Sequence, residues 1–346
     1  MRFNVSLHQV LHLIMGQKTK ICIAGAGSIG TALGQILANN ENLDVTLLSI
    51  ELQVVNDINE LHFNRTYFPQ IRLNDRLKAT CNEDILKDSD YIFLAIPSTS
   101  VIPYLSKHID KVKPSAVIIN LAKGFAGNHE TIVDDLRNLL HNTVCSLKGP
   151  TFARELISNM PTAMTVGADS HDIYEKLLNV FKGTSIHIDY SSDVNGVEIL
   201  SILKNIYAII IGIIDAHFNS PNLRFLIFTR AFNEMLQILI LFGGKQETMF
   251  RYCGIGDFGL TALNDLSRNR TLGLLIGKGF FSDDISGKVV LEGRVAVDII
   301  MEKLKKIGAN EEKYMMLFEL NKVFAGSYDI KKFISNILTS EPVVEV

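Results

Sequence analysis

A lysine inside an almost wholly apolar helical pattern is the residue of this sequence best suited to proton transfer. Lys204 lies within residues 197–214, where Glu198 and Asn205 are the only other side chains that carry a charge or an amide. A buried ammonium loses its hydration, so its pKa falls toward neutrality, which suits a proton donor or acceptor. We expect Lys204 to be the one lysine buried in the core. A lysine that reaches the surface, or a structural ion pair, is the alternative.

A short glycine-rich loop further along the chain offers this lysine a partner. Asp257 lies among glycines in residues 254–261, and Thr261 follows it four residues later. The segment is a short polar loop that supplies one carboxylate and one hydroxyl. We interpret Asp257 and Thr261 as the polar partners of Lys204.

Residues 266–270 (Leu-Ser-Arg-Asn-Arg) combine a hydroxyl, two guanidiniums and an amide at the start of a predicted helix. Ser267, or Asp265 before it, can cap that helix. The fork of Arg268 suits bidentate binding of a phosphate, and Asn269 adds further donors. The segment therefore predicts an anion-binding clamp, with a solvated run of charge as the alternative.

A glycine-rich loop near the start of the chain predicts a dinucleotide site. Gly25, Gly27 and Gly30 form the pattern G-x-G-x-x-G directly after an apolar strand and directly before a helical pattern. The first glycine permits a tight turn, the second lets a pyrophosphate approach the backbone, and the third lets helix and strand pack closely. The amides and the dipole of the helix N-terminus would hold the negative charge. A glycine turn without a ligand is the alternative.

The end of the second predicted strand bears on the choice of dinucleotide. Glu51 lies about 20 residues after Gly30, where a carboxylate accepts hydrogen bonds from the adenosine ribose. No Lys or Arg occurs from Asp44 to Asn64, so this segment offers a 2′-phosphate no cation. The pattern favours NAD over NADP, although another loop could supply an arginine.

The hydrophobic pattern changes character midway along the chain. The first half alternates apolar runs with amphipathic ones, which predicts a doubly wound parallel sheet of Rossmann type. Lys123 follows one of these strands, at the carboxyl end where such sheets bind ligands. After residue 195 the strand signal disappears and long helical patterns take over. We therefore predict an α/β fold in three parts: an extension at 1–14, a dinucleotide-binding domain at 15–193 and an all-α domain at 194–346.

The predicted elements are few and well separated. The strands are placed at 20–24, 45–49, 91–96, 116–121 and 144–148, with a further pair near 163–166 and 185–188 that could extend an edge. The helices are placed at 28–39, 53–61, 101–109, 129–140, 197–216, 223–242, 270–277, 294–306 and 311–324.

Composition narrows the class of protein. The chain has 346 residues, 47% of them hydrophobic, and a net charge of -3, so it can form a core but offers nucleic acid or an anionic membrane no general basic field. The four cysteines lie far apart, which argues against a disulfide framework or a metal site and favours the cytoplasm. The apolar run at 197–214 contains charged residues, so we interpret it as a helix buried in protein rather than in lipid.

Several segments occur together in one order: 25–32, 96–98 (Ile-Pro-Ser), 122–124 (Ala-Lys-Gly), 149–155 (Gly-Pro-Thr-Phe-Ala-Arg-Glu), 203–205 (Leu-Lys-Asn), 254–257, 266–270 and 292–293 (Glu-Gly). In this order they resemble the soluble, bacterial-type NAD(P)-dependent glycerol-3-phosphate dehydrogenase family. The resemblance covers about residues 18–325. It implies an oxidoreductase that interconverts dihydroxyacetone phosphate and sn-glycerol 3-phosphate, supplying glycerol phosphate for phospholipid synthesis.

The resemblance also implies roles for individual residues. Lys204 would accept the proton when the alcohol is oxidised and donate it when the ketone is reduced. Lys123 would lie between nicotinamide and substrate. The remaining residues implied to contact the substrate are Gly149, Thr151, Asp257, Thr261, Ser267, Arg268 and Asn269, the last two on its phosphate. Those implied to contact the cofactor, beside Gly25, Gly27, Gly30, Glu51 and Lys123, are Ser28, Ile29, Ala153, Arg268, Val290 and Glu292.

Two other functions remain open at this point. One is a related dehydrogenase acting on another small phosphorylated ketone, because Arg268 requires only an anion. The other is an NAD(H)-binding sensor without turnover. Exposed apolar helix faces in the second half, together with the habit of the family, suggest a homodimer.

Overall fold

The structure, a computed structural model, describes residues 18–126, 130–280, 287–326 and 328–340. For 287–292 and 311–312 it describes the backbone only. The extension predicted at 1–14 lies outside the described residues, as do the side chains of Val290 and Glu292.

The first part of the chain forms one sheet of eight strands in the order β3-β2-β1-β4-β5-β6-β7-β8, parallel except where β6 meets β7. The strands are β1 Thr19–Ala24, β2 Leu43–Leu48, β3 Lys78–Thr80, β4 Tyr91–Leu94, β5 Val117–Asn120, β6 Thr143–Lys148, β7 Thr162–Gly167 and β8 Ile186–Ser191. Strands β1, β4 and β5 are apolar and almost entirely buried because helices cover both faces. The prediction of a doubly wound sheet is confirmed. The predicted extra pair is β7 and β8 at one edge.

The sheet positions the loops that follow its strands. In the register, Ala24 of β1 pairs with Leu94 of β4, Leu94 with Asn120 of β5, and Asn120 with Ser146 of β6. The loops after β1, β5 and β6 therefore leave the sheet along one edge. Neighbouring strands lie about 4.8 Å apart, so the loops after β1 and β5 are separated by roughly 10 Å.

The helices between the strands are α1 Ser28–Leu37, α2 Leu52–Asn56, which continues as a π turn at Asp57–Leu61, α3 Ile85–Asp88, α4 Ser98–Lys107, α5 Ile132–Leu139, α6 Ala153–Ile157 and α7 His171–Phe181. The prediction missed β3, α3 and α6, which are too short to show a period. It also missed α7, whose sequence did carry a signal. Ser170 caps this helix, and its buried face follows a spacing of three to four residues from Ile173 to Phe181.

The second part of the chain is helical: α8 Val194–Asp215, α9 Pro221–Leu241, α10 Asp257–Leu263, α11 Arg268–Gly277, α12 Gly287–Lys306, α13 Met315–Phe324 and α14 Ile330–Thr339. The prediction of an all-helical second part is confirmed, although α10 and α14 were missed. Asp193 lies at the junction. One of its carboxylate oxygens caps α8 at the N–H of Gly196, and the other accepts from Lys245 N and Thr248 Oγ1.

Helix α8 runs through the centre of this part. By length and composition it could cross a membrane, yet 94% of its apolar window is buried inside the protein, as in a core helix. Helix α8 packs so closely against α11 that a Cβ atom at Gly273 would lie 2.0 Å from the carbonyl oxygen of Ile209. Because residue 273 is a glycine, α11 can lie directly against α8, the helix that carries Lys204.

Candidate active site

Lys204 lies at the middle of α8 with only 5% of its surface exposed. Its ammonium donates to Asp257 Oδ1 at 2.6 Å and to Thr261 Oγ1 at 2.8 Å. Asp257 begins α10 and Thr261 follows one turn later, so both face the same side of that helix. The structure thus brings together the three residues that the sequence pattern singled out.

Lys123 reaches the same carboxylate from the sheet. Its Nζ donates to Asp257 Oδ2 at 2.8 Å and to the carbonyl oxygen of Gly149 at 3.2 Å. Each oxygen of Asp257 therefore holds one lysine, and Asp257 itself is 1% exposed. Gly149 also accepts from Thr151 Oγ1 at 3.3 Å. Lys123, Gly149, Thr151, Lys204 and Asp257 thus form one polar cluster between the sheet and the helical part.

The cluster sets the proton affinity of Lys204. Burial lowers the pKa of its ammonium well below the usual range of lysine, the Asp257 carboxylate opposes that shift, and the Lys123 cation adds to it. Two ammonium groups share one carboxylate, so neither cation is fully compensated. Lys204 can therefore lose or regain a proton near neutral pH, where a lysine in water stays charged.

The expectation that only one lysine is buried was wrong. Lys148, at the end of β6, has no exposed surface and forms an ion pair with Glu198 of α8 at 3.0 Å. Sequence reasoning noted Glu198 only as a charge within the apolar run, and did not connect it with Lys148. The signal was a lysine directly before Gly149 at the end of an apolar strand.

The two arginines of the predicted anion clamp have separate surroundings. Ser267 is buried and caps α11 by accepting from the N–H of Arg270. Arg268, in the first turn of α11, is exposed, and it forms no ion pair within the part of the chain that the structure describes. Asn269 beside it is half-buried. An exposed guanidinium at a helix N-terminus remains able to bind an anion.

Arg270 has a different environment. It is 5% exposed and pairs with Asp215 at 2.8 Å and with Asp265. Asp215, the last residue of α8, also accepts from Arg224 Nε at 2.8 Å. These ion pairs join the end of α8 to the beginnings of α9 and α11. Sequence reasoning did not anticipate this role for Arg270.

The glycine loop has the shape that a pyrophosphate requires. Gly25 has φ +110°, and a Cβ there would lie 2.6 Å from the carbonyl oxygen of Ala95. A Cβ at Gly30 would lie 1.9 Å from the carbonyl oxygen of Gly25, so helix and loop touch. Gly27 differs, because the nearest atom to a Cβ there is Tyr67 Cζ at 4.0 Å. The first turn of α1 also has no side-chain cap. The open space at Gly27 and the uncapped turn fit a bound dinucleotide.

A buried asparagine stabilises this loop, and sequence reasoning missed it. Asn64 Nδ2 donates to the carbonyl oxygen of Ala26 and to Thr31 Oγ1, both at 2.9 Å. Thr31 Oγ1 in turn donates to the same carbonyl at 3.1 Å. The segment that contains Asn64 follows the π turn, so its position beside the loop depends on the tertiary fold.

The other predicted cofactor residues surround the same edge of the sheet. Ser28 and Ile29 lie half-buried in the first turn of α1, and Ala153 begins α6, which packs against α1. Glu51 is exposed after β2, where its N–H donates to Ser49 Oγ at 3.1 Å. Arg268 comes from α11 in the helical part.

Comparison with known proteins finds the same family in both parts of the chain. Two family models match, the NAD-dependent glycerol-3-phosphate dehydrogenase N-terminus over residues 20–173 and the C-terminus of the same family over 193–335. The glycerol-3-phosphate dehydrogenase [NAD(P)+] of Methanothermobacter thermautotrophicus is 38% identical over 264 residues, 75% of this chain and 80% of that protein. The Leptospira biflexa protein of the same name is 33% identical over 87% of this chain and 93% of its own length.

A solved structure is similar as well. The crystal structure of glycerol-3-phosphate dehydrogenase from Coxiella burnetii has a TM-score of 0.82 and 27% sequence identity, and the match covers 93% of this chain and 99% of that one.

Proposed function

This chain belongs to the NAD-dependent glycerol-3-phosphate dehydrogenase family and interconverts dihydroxyacetone phosphate and glycerol 3-phosphate with NAD(P)(H), and we propose that Lys204 is its proton donor and acceptor. The observation that carries this assignment is the buried ammonium held by Asp257 Oδ1 and Thr261 Oγ1. When the ketone is reduced, Lys204 donates its proton to the oxygen of the substrate carbonyl. When the alcohol is oxidised, neutral Lys204 removes the hydroxyl proton.

The remaining site residues bind and orient the cofactor and the substrate. The bound dinucleotide supplies or accepts the hydride at the substrate carbon. The loop of Gly25, Gly27 and Gly30 with the first turn of α1 holds its pyrophosphate. The other cofactor contacts that we propose are Ser28, Ile29, Glu51, Lys123, Ala153, Arg268, Val290 and Glu292.

The substrate is held from two sides. Arg268 and Asn269, at the start of α11, bind the phosphate, with Ser267 fixing the helix end. Lys123 would lie between substrate and nicotinamide; its Nζ donates to the carbonyl oxygen of Gly149, which also accepts from Thr151 Oγ1. The glycerol 3-phosphate that forms on reduction would serve phospholipid synthesis.

The pH dependence of turnover tests the role of Lys204. Reduction needs the charged ammonium, so its kcat/KM is expected to fall as the pH rises through the lowered pKa of Lys204. Oxidation needs the neutral amine, so its kcat/KM is expected to rise over the same interval. Because the pKa of Lys204 is lowered, both changes in kcat/KM are expected near neutral pH and not near pH 10. Opposite profiles with one shared midpoint are the result to measure; profiles of the same sign would contradict the assignment.

We propose NAD as the preferred cofactor. Glu51, exposed after β2, would accept from the 2′- and 3′-hydroxyls of the adenosine ribose and repel a 2′-phosphate. The nearest cation in the sequence is Arg65, whose pairing with Asp57 is long at 4.0 Å. Initial rates should therefore favour NADH over NADPH, and Glu51→Gln should reduce that preference while Arg65→Gln leaves NADH use intact. A higher rate with NADPH in the unaltered protein would overturn the proposal.

We also propose a homodimer in the cytoplasm. Large apolar side chains remain exposed on the helical part, among them Phe225 on α9, 58% exposed, and Phe250, 59% exposed, which packs against Phe232 of α9. A patch of this kind is typical of a surface covered by another copy. Sedimentation of the purified protein measures its oligomeric state. The four cysteines lie far apart in the sequence, which supports a reducing compartment, and cell fractionation tests the location.

A further inference from the structure

Lys148 is buried behind the active site, and all three of its ammonium protons have acceptors. Its Nζ lies 3.1 Å from the carbonyl oxygen of Asn120, 2.6 Å from that of Ala122 and 3.0 Å from Glu198 Oε1. Two of these acceptors are backbone carbonyls, one at the last residue of β5 and one in the loop that follows it. Lys148 therefore binds a loop directly as well as neutralising a carboxylate.

Glu198 completes the anchorage from the helical part. It accepts from Asn120 Nδ2 on both oxygens at 3.0 Å and from Ser146 Oγ. Asn120 Oδ1 then accepts from the N–H of Ala122 at 3.0 Å. The peptide groups of Ala122 are thus held on both sides, its N–H by Asn120 and its carbonyl by Lys148. Glu198 is 1% exposed, so water cannot replace these contacts.

The residue after Ala122 is Lys123. The other end of its side chain contacts Asp257 Oδ2 and the carbonyl oxygen of Gly149, which directly follows Lys148. The contacts close a circuit that starts on α8 at Glu198, passes through Lys148 and Lys123 to Asp257, and returns to α8 at Lys204. Sheet and helical part are therefore joined twice around one catalytic cluster.

We propose that Lys148 and Glu198 are positioning residues that hold Lys123 against Asp257 and thereby determine whether Lys204 carries a proton. The proposal rests on the proposed role of Lys204. The charged groups that face Lys204, among the described residues, are Asp257 from α10 and Lys123 from the β5 loop. If Lys123 moves away, Lys204 loses a repelling cation and no longer shares the carboxylate. Both changes raise the pKa of Lys204.

The test compares the pH dependence of dihydroxyacetone phosphate reduction in Lys148→Met, Glu198→Gln and Lys123→Met. All three variants are expected to move the midpoint of the kcat/KM profile upward by about one pH unit. Because Lys148 acts through Lys123, the Lys123→Met/Lys148→Met double variant should have the profile of Lys123→Met alone. Additive shifts, or an unchanged midpoint in Lys148→Met, would overturn the proposal.

A matched control lies at the opposite end of the same strands. Asn142 Nδ2 donates to the carbonyl oxygens of Lys113, Pro114 and Ala116, so it also fixes the backbone before β5. Asn142→Ala should lower the melting temperature without moving the pH midpoint. A general loss of stability would then be separated from loss of positioning, because only the latter moves the midpoint.

Lys148→Met leaves Glu198 buried without its cation and could prevent folding. The Lys148→Met/Glu198→Gln double variant removes both charges, so it avoids an unpaired buried charge and gives the same readout. If a Lys204→Met variant keeps the pH step, the proposed role of Lys204 fails. Even in that case, the kcat/KM values of the single and double variants show whether Lys148 acts through Lys123.

Discussion

Lys204→Met is expected to lower turnover by about 10²–10⁴-fold, the usual contribution of a general acid or base, while the protein remains folded. Methionine matches the length of the lysine stem and suits the apolar surroundings of α8. Asp257 keeps its contact with Lys123 at 2.8 Å, so no buried carboxylate loses its last cation. The loss should therefore fall on kcat, and the binding of NADH should persist.

The measurement is kcat and KM for dihydroxyacetone phosphate reduction, with NADH binding followed by fluorescence and folding by thermal melting. Lys331→Met, at an exposed lysine of α14, is the matched control and should leave all of these unchanged. The pH step of the unaltered enzyme should also vanish in Lys204→Met. Turnover within tenfold of the unaltered protein would show that another group transfers the proton.

Arg268→Ala is expected to lower kcat/KM for dihydroxyacetone phosphate by about 100-fold. Two charge-assisted hydrogen bonds to a phosphate contribute roughly 3 kcal/mol, and 1.4 kcal/mol corresponds to a factor of ten. Arg268 is exposed and forms no ion pair within the described ranges, so its removal leaves no partner unsatisfied there. The effect should therefore appear in substrate binding and not in stability.

Unphosphorylated dihydroxyacetone provides the control for this variant. It lacks the anion, so at saturating NADH its low rate should be the same with and without Arg268. The neighbouring Arg270→Gln should behave in the opposite way, because it breaks the buried ion pair with Asp215, together with the pair to the exposed Asp265, and so lowers the melting temperature. Equal losses for both substrates in Arg268→Ala would place the arginine elsewhere than on the phosphate.

Local sequence patterns were sufficient for much of this protein. An apolar strand, three glycines and a helical period lie next to each other, so the dinucleotide loop could be predicted from residues 20–37. The glycine-rich segment 254–261 marked Asp257 and Thr261 as partners of Lys204, although helix α10, which places them on one face, was not predicted. The change from alternating to purely helical patterns near residue 195 likewise predicted the order of the two parts.

Long-range packing decided the rest. Lys148 and Glu198 are 50 residues apart and belong to a strand and a helix, and no local period shows that they meet. Arg268 and Arg270 look alike in sequence, yet the close packing of α11 on α8 buries one beside Asp215 and leaves the other exposed. A charge acquires its partners and its pKa only when distant elements remove it from water. Sequence therefore determined which groups could do the chemistry, and tertiary structure decided which cations are buried, which are paired and which remain exposed.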